Sequence, residues 1–292
     1  MNNEMTREYA NEVAKNLEAI APEMEYKVTQ VNKNHAILTG IVAKKAENSV
    51  APTIYVDGYY EDNIPAEDAA KMILEAAQKA YDEMPDFAGS VVNDFADYDK
   101  MKTGLSIVLT GDKEYAKQCV SRKVGSTNLY AIPIIRIKMG NESGQIKIKK
   151  EHLDKWGIDK TTLFKDAKKA LSNEAIAFGG IGDFLGMDIG DAPMCVASNE
   201  MKVNGAAVML SPDFDKMCLE KYPEGYYIIP SSVHEVIVVS KELMPVAALE
   251  SMVREVNATV VSPEDVLCDN VLAIENGKLV VVEDELKNHE AA

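Results

Sequence analysis

The chain has 292 residues, 47 % of them apolar, which suffices for one large domain or two of ordinary size around a buried core. Lysine and arginine number 31 against 47 aspartates and glutamates, a formal net charge of −16, so direct binding to nucleic acid or to an anionic membrane surface is not expected. No apolar run approaches the roughly 20 residues that a membrane span needs, and the opening MNNEMTREYANEVAKNL lacks the basic-then-apolar order of a secretory signal.

The first predicted element is a helix over 4–20, with Met5, Tyr9, Val13, Leu17 and Ile20 at steps of three and four. A hairpin follows in YKVTQVNKNHAILTGIVAKK, turning around Asn32 to Asn34. VAPTIYVDGYYED reads as a strand ending in a bend at Gly58. A helix over 65–84 opens on Pro65, Glu67 and Asp68 and carries an apolar face of Met72, Ile73, Ala76, Ala77 and Ala80. PDFAGSVVNDFADYDKM reads as a shorter helix, GLSIVLTG as a buried strand, and residues 112–119 as one more short helix.

Residues 128–150 form a second hairpin, in which Pro133 implies a sheet edge or a bulge. Two helices broken at Gly157 come next, the second capped by Asp159 or Thr161. The glycine-rich FGGIGDFLGMDIGDAP then marks the weakest seam. MCVASNEMKVNGAAVML reads as a hairpin turning at Asn204 and Gly205. Ser211 and Pro212 start a helix, Pro230 divides two strands, and residues 244–258 are helical with Val246, Leu249, Met252, Val253 and Val256 on one face. Ser262-Pro263-Glu264-Asp265 reads as a helix start, and VLAIENGKLVVVE as a closing hairpin turning at Asn276 and Gly277. Helices and hairpins alternate without clean β-α-β runs. The fold class is therefore α+β, with mixed or antiparallel sheets built from hairpins and flanked by amphipathic helices. Two subdomains are expected, 1–172 and 173–292, or one continuous domain.

Four segments invite a chemical reading. GGIGDFLG spaces Gly180, Gly182 and Gly186 one residue too wide for the dinucleotide fingerprint, and Asp183 and Asp188 repel a phosphate there. In PSSVHE, Ser231, Ser232, His234 and Glu235, with Asp265 from a later segment, are the candidate catalytic residues of a hydrolase, His234 being the side chain suited to proton transfer near neutral pH. Strand alternation sends His234 and Glu235 to opposite faces, however, and neither H-E-x-x-H nor a nucleophile elbow is present. Architecture is thus the stronger reading: serines satisfying turn amides and the imidazole hydrogen-bonded at a sheet end. Glu255, Asp265 and Asp269 are carboxylates without the spacing of a calcium loop, and Cys119, Cys195, Cys218 and Cys268 are scattered singly, so no metal is implied and the thiols are those of a reducing compartment. The cluster Tyr55, Asp57, Tyr59 and Tyr60 reads as core, with a binding surface as its alternative.

The segments APTIYVDGYYED, IKIKKEHLDKWGIDKTTLFKDA and MCVASNEMKVNGAAVML, with YYIIPSSVHEVIVVS and MVREVNATVVSPEDVLCDNVLAIE, resemble the bacterial family known as domain of unknown function 5688. The resemblance spans nearly the whole chain. It implies a single-family bacterial, cytoplasmic protein and supplies no catalytic residues. It also suggests a link to mobile elements or phage–host conflict. With no complete metal, nucleotide or nucleophile constellation and no cofactor implied, the leading expectation is an interaction or regulatory protein whose partner is another protein. A hydrolase centred on His234 and an acidic mimic of nucleic acid are the alternatives.

Overall fold

A computed structural model describes residues 3–48, 50–83, 94–139, 142–186, 193–230 and 232–283. The chain divides into two compact units, Met1–Lys100 with Ile137–Gly144, and Met101–Arg136 with Gln145–Ala292. The boundary expected after residue 172 falls inside the second unit. The class is α+β with antiparallel sheets.

In the first unit, strands β1 (Met24–Lys33), β2 (Ala36–Lys45) and β3 (Thr53–Tyr55) form a sheet in the order β1-β2-β3. The β1–β2 turn is the residue pair Asn34-His35, which overlaps the expected turn at Asn34 and extends one residue beyond it, and His35 adopts a positive φ of 54°. Helices α1 (Asn3–Ile20) and α3 (Ala66–Glu83) pack together. Ala10, Val13 and Leu17 share a core with Ile41, Val56, Ile73 and Ala77. That stripe is rotated from the expected one, because Met5, Ile20 and Met72 are exposed, while small alanines let the two helices approach. Residues 57–61 form a short helix, α2 (Asp57–Glu61), in place of the expected bend. Of the helix expected over 85–101, residues 85–93 lie outside the described residues, and Tyr98–Met101 makes one helical turn, α4.

The second unit holds two sheets. In one, β4 (Leu105–Thr110) and β5 (Arg122–Lys123) flank β6 (Tyr130–Met139), which also pairs with β7 (Glu142–Lys147). Every residue of β4 is buried. Pro133 therefore stands in an inner strand, opposite Ile107, rather than at an edge. Its carbonyl accepts the Ile148 amide on the side away from β4, so the missing N–H faces that side too and the β4 ladder loses nothing. Helix α5 (Lys113–Lys117) is capped by the Asp112 carboxylate, which accepts the amides of Glu114 and Tyr115. Helices α6 (Lys150–Trp156) and α7 (Lys160–Ser172) break at Gly157, and Asp159 caps α7.

The second sheet runs β13-β12-β10-β11-β9-β8, comprising β8 (Ile176–Gly180), β9 (Met194–Asn199), β10 (Tyr226–Ile229), β11 (Val236–Ser240), β12 (Leu272–Glu275) and β13 (Lys278–Val281). A five-residue helix, α8 (Ile181–Leu185), follows Gly179 and Gly180, which end the strand β8. That strand lies antiparallel at the sheet edge, without the β-α-β context that holds a dinucleotide. After β9 the chain does not return as a hairpin. Gly205–Leu210 winds into a 3-10 turn that leads to helix α9 (Pro212–Lys221). Helix α10 (Val246–Thr259) packs Leu249 and Val253 against Ile229, Val239 and Val271. The expected helix start at Ser262 is one isolated turn, closed by the amides of Asp265 and Val266 on the Ser262 carbonyl.

Asp57, 7 % exposed, accepts the Thr39 amide at 2.9 Å and so ties α2 to β2. Asp57→Ala leaves that amide unpaired and is expected to cost about 1–3 kcal/mol. A lower midpoint in chemical denaturation checks this, and an unchanged midpoint contradicts it.

Candidate functional site

Residues 232–235 form a loop before β11, so pleating does not govern His234 and Glu235. The Ser232 hydroxyl accepts the His234 amide at 3.0 Å and closes a local turn. Three consecutive amides then converge on this loop. Asn204 donates to His234 Nδ1 at 3.1 Å, Gly205 to the His234 carbonyl at 2.9 Å and Ala206 to the Val233 carbonyl at 3.1 Å. The Ser198 hydroxyl donates to the same His234 carbonyl at 2.7 Å. On the other side the Val233 amide donates to the Asp265 carbonyl at 2.8 Å, and Ser232 bridges Val266.

Because Nδ1 accepts a backbone amide, Nε2 carries the proton and donates to Asp265 Oδ1 at 3.1 Å. Both imidazole nitrogens are thus engaged. The structure brings Ser232, His234 and Asp265 together; Glu235 takes no part in the cluster, and Ser231 lies outside the described residues. Neither the ring nor the Ser232 hydroxyl is presented as a free base or nucleophile. The arrangement is a clasp that fastens Gly205–Leu210 to the loop. Among the carboxylates considered for a cation, Asp265 serves His234 and Asp269 accepts Asn257 Nδ2 at 2.7 Å. The tyrosine cluster is largely structural as well. Asp57, the first residue of α2, is buried against β2, Tyr59 packs on the first core, Tyr60 meets Tyr9 with ring centroids 5.5 Å apart, and Tyr55 lies under the Lys33 ammonium.

The clasped segment leads directly to a cavity of about 490 Å³ inside the second unit. Its floor includes Ile107, Ala131, Phe164, Met209 and Leu279, each at most 5 % exposed. Its rim carries Arg122, Lys123, Lys168 and Lys278, all exposed. Among the described residues none of the four has a carboxylate partner; Arg122 instead stacks on the Phe164 ring, 4.3 Å from its centroid. Among the described lining residues Asp215 is the one that is acidic, and it accepts the Tyr226 hydroxyl at 2.5 Å. Burial and that bond push the Tyr226 phenol far above its ordinary value, so it stays a donor at any working pH. Ser211, 4 % exposed, stands at the N-cap of α9 but makes no capping bond, and its hydroxyl has no partner among the described residues.

A family model described as a family of unknown function, DUF5688, matches residues 6–273. The chain belongs to DUF5688. Comparison with curated proteins and with solved structures finds no match.

None of the DUF5688 protein's cavity residues is among the sequence-expected site residues, because they come from five separate stretches of chain. The one local hint is the basic pair Arg122-Lys123, two residues before Gly125. Gly125 has a φ of +51°, and a Cβ there would stand 2.0 Å from the Leu279 carbonyl oxygen, so only glycine lets this loop meet β13 and wall the cavity. At the clasp, a Cβ on Gly205 would stand 2.1 Å from Ser198 Oγ and 2.7 Å from the His234 carbonyl oxygen. Gly205→Ala is therefore expected to cost roughly 2–4 kcal/mol. His234→Ala, whose ring is partly solvated, is expected to cost only about 1–2 kcal/mol. Denaturation midpoints of the two variants check that order, and its reversal contradicts the clasp.

Proposed function

We propose that this DUF5688 protein is a binding protein with a regulatory role, and that its cavity takes a small amphipathic anion. The observation that carries the reading is the rim: four cations gather without acidic partners in a chain where carboxylates outnumber them 47 to 31. Some basic side chains elsewhere take acidic partners, as in Lys71 with Glu67 and Asp68, Lys117 with Glu114, and Arg136 with Glu174; what sets the rim apart is that its four cations face one cavity with a single carboxylate among its described lining residues. A unit negative charge about 5 Å from each rim cation gains roughly 1–3 kcal/mol before salt screening. Below the rim, the apolar floor favours a ligand with an apolar body, and the volume suits one small organic molecule.

The regulatory expectation from the sequence is kept in this form, with recognition moved from the tyrosine cluster to the cavity. Two observations support binding over hydrolysis at His234: both ring nitrogens are engaged, and the residue sits in a clasp that holds the cavity's approach segment. The acidic-mimic alternative draws no support from a basic rim. Calorimetric titration tests the reading with octyl phosphate, octanoate, octanol and inorganic phosphate. The two amphipathic anions are expected to bind at least tenfold tighter than octanol or inorganic phosphate, and the Lys123→Glu/Lys168→Glu pair to weaken them at least tenfold. Equal binding of octanol, or indifference to charge reversal, contradicts the reading.

A further inference from the structure

The cavity contains one polar feature that neither the rim nor the floor explains, and it narrows the class of ligand. Ser211 is the residue before Pro212, at the start of α9. A serine in this position ordinarily accepts an amide from the first turn of its helix. Here it does not, although its backbone has the extended conformation of a cap, with φ −77° and ψ 138°. Its amide donates to the Val208 carbonyl and its carbonyl accepts the Phe214 amide, so the main chain is paired, while the hydroxyl has no partner among the described residues. The residue is more than nine-tenths buried and lines the cavity. The hydroxyl itself is not shut off from solvent, so from the cavity it can be reached by water or by a hydrogen-bonding atom of a ligand.

The charges narrow the class further. Among its described residues the lining sets Arg122, Lys123, Lys168 and Lys278 against Asp215 alone, and Asp215 already accepts the Tyr226 hydroxyl. A carboxylate brings one negative charge to four cations, whereas a phosphate monoester brings between one and a half and two, with three acceptor oxygens. Arg122 lies over the Phe164 ring, 4.3 Å from its centroid, and a guanidinium offers a two-pronged donor edge, the geometry that fits a phosphate.

From these observations, and resting on the reading that the cavity binds an anion, we propose that its ligand is an organic phosphate whose body carries a hydrogen-bonding atom for Ser211. The phosphate lies at the basic rim with Arg122 as its principal donor. The body lies on the floor of Ile107, Met209 and Leu279 and completes the bonding of the serine hydroxyl. Ser211 is then a specificity-determining residue: it distinguishes phosphates with a hydroxyl, carbonyl or ring nitrogen in the body from those with hydrocarbon alone.

The test is a thermal-shift panel of nucleoside monophosphates, sugar phosphates, pyridoxal phosphate and 1-naphthyl phosphate, each organic phosphate paired with a carboxylate of similar size. The strongest polar-bodied phosphate and 1-naphthyl phosphate are then titrated calorimetrically into the wild type, Ser211→Ala and Arg122→Gln. Phosphates are expected to lead the panel. Ser211→Ala is expected to weaken the polar-bodied phosphate about tenfold and 1-naphthyl phosphate less than twofold, with an unchanged melting temperature because the hydroxyl has no partner among the described residues. Arg122→Gln is expected to weaken both at least fivefold. If carboxylates lead, or if Ser211→Ala moves both probes equally or neither, this inference is overturned while anion binding stands. If no anion of either kind binds, the anion-binding reading falls with it.

Discussion

The backbone clasp at residues 204–206 and 233–234 is the constraint on which the second unit depends. Three successive amides and one buried hydroxyl are all satisfied by two residues of a loop. Without those acceptors, the polar backbone entering the 3-10 turn Gly205–Leu210 would be buried unpaired, because Gly205, Ala206, Ala207, Val208 and Met209 are all buried. With them, the turn passes between β9 and β4 and delivers Met209, Leu210 and Ser211 to the cavity. His234 thus acts on the site at a distance: its carbonyl and ring nitrogen fix the segment that carries the serine. A histidine, a serine and an aspartate in contact suggest a catalytic group, yet here the hydrogen-bond directions make them a fastener.

The cavity is the electrostatic counterpart of that framework. An acidic chain stabilises scattered lysines by surrounding them with carboxylates, and an unneutralised basic group in such a chain is held together only by the fold. Gly125 shows how closely the fold is drawn: the loop after Arg122 and Lys123 meets β13 backbone to backbone, with no room for a side chain. The same approach brings Lys278, the first residue of β13, to the rim shared with Lys168 of α7. Solvation keeps four exposed cations tolerable in the absence of ligand, while the low-dielectric floor beneath them strengthens any anion's attraction at the mouth.

Most of the local structure was legible in the sequence. Helix α1, helix α3, the buried strand β4, the break at Gly157 and the Asn276-Gly277 hairpin all follow from signals that lie within a few residues of one another. Two of the misreadings come from capture by partners distant in sequence, and a third from the side of its strand that a residue faces. Asn204-Gly205 has the chemistry of a hairpin turn, but its amides go to residues 233–234, so the chain never folds back on β9. Ser262 to Asp265 has the chemistry of a helix start, but Asp265 turns its carboxylate to His234 and its carbonyl to Val233. Pro133 belongs by local rules at an edge, and it is accommodated inside a sheet because its nitrogen faces the side away from the β4 ladder. Of the site, the serine–histidine–aspartate grouping could be suspected from its dense motif. The basic rim could not, because Arg122, Lys168 and Lys278 are unremarkable surface cations until the topology gathers them.

The most direct test of this account is a crystal structure of the protein with octyl phosphate. The account predicts the phosphate at the rim, within hydrogen-bonding distance of Arg122 and at least one of Lys123, Lys168 and Lys278, with the alkyl chain on the floor. A phosphate bound elsewhere while the cavity stays closed to it, or a chain buried with its head group turned away from these cations, would contradict it.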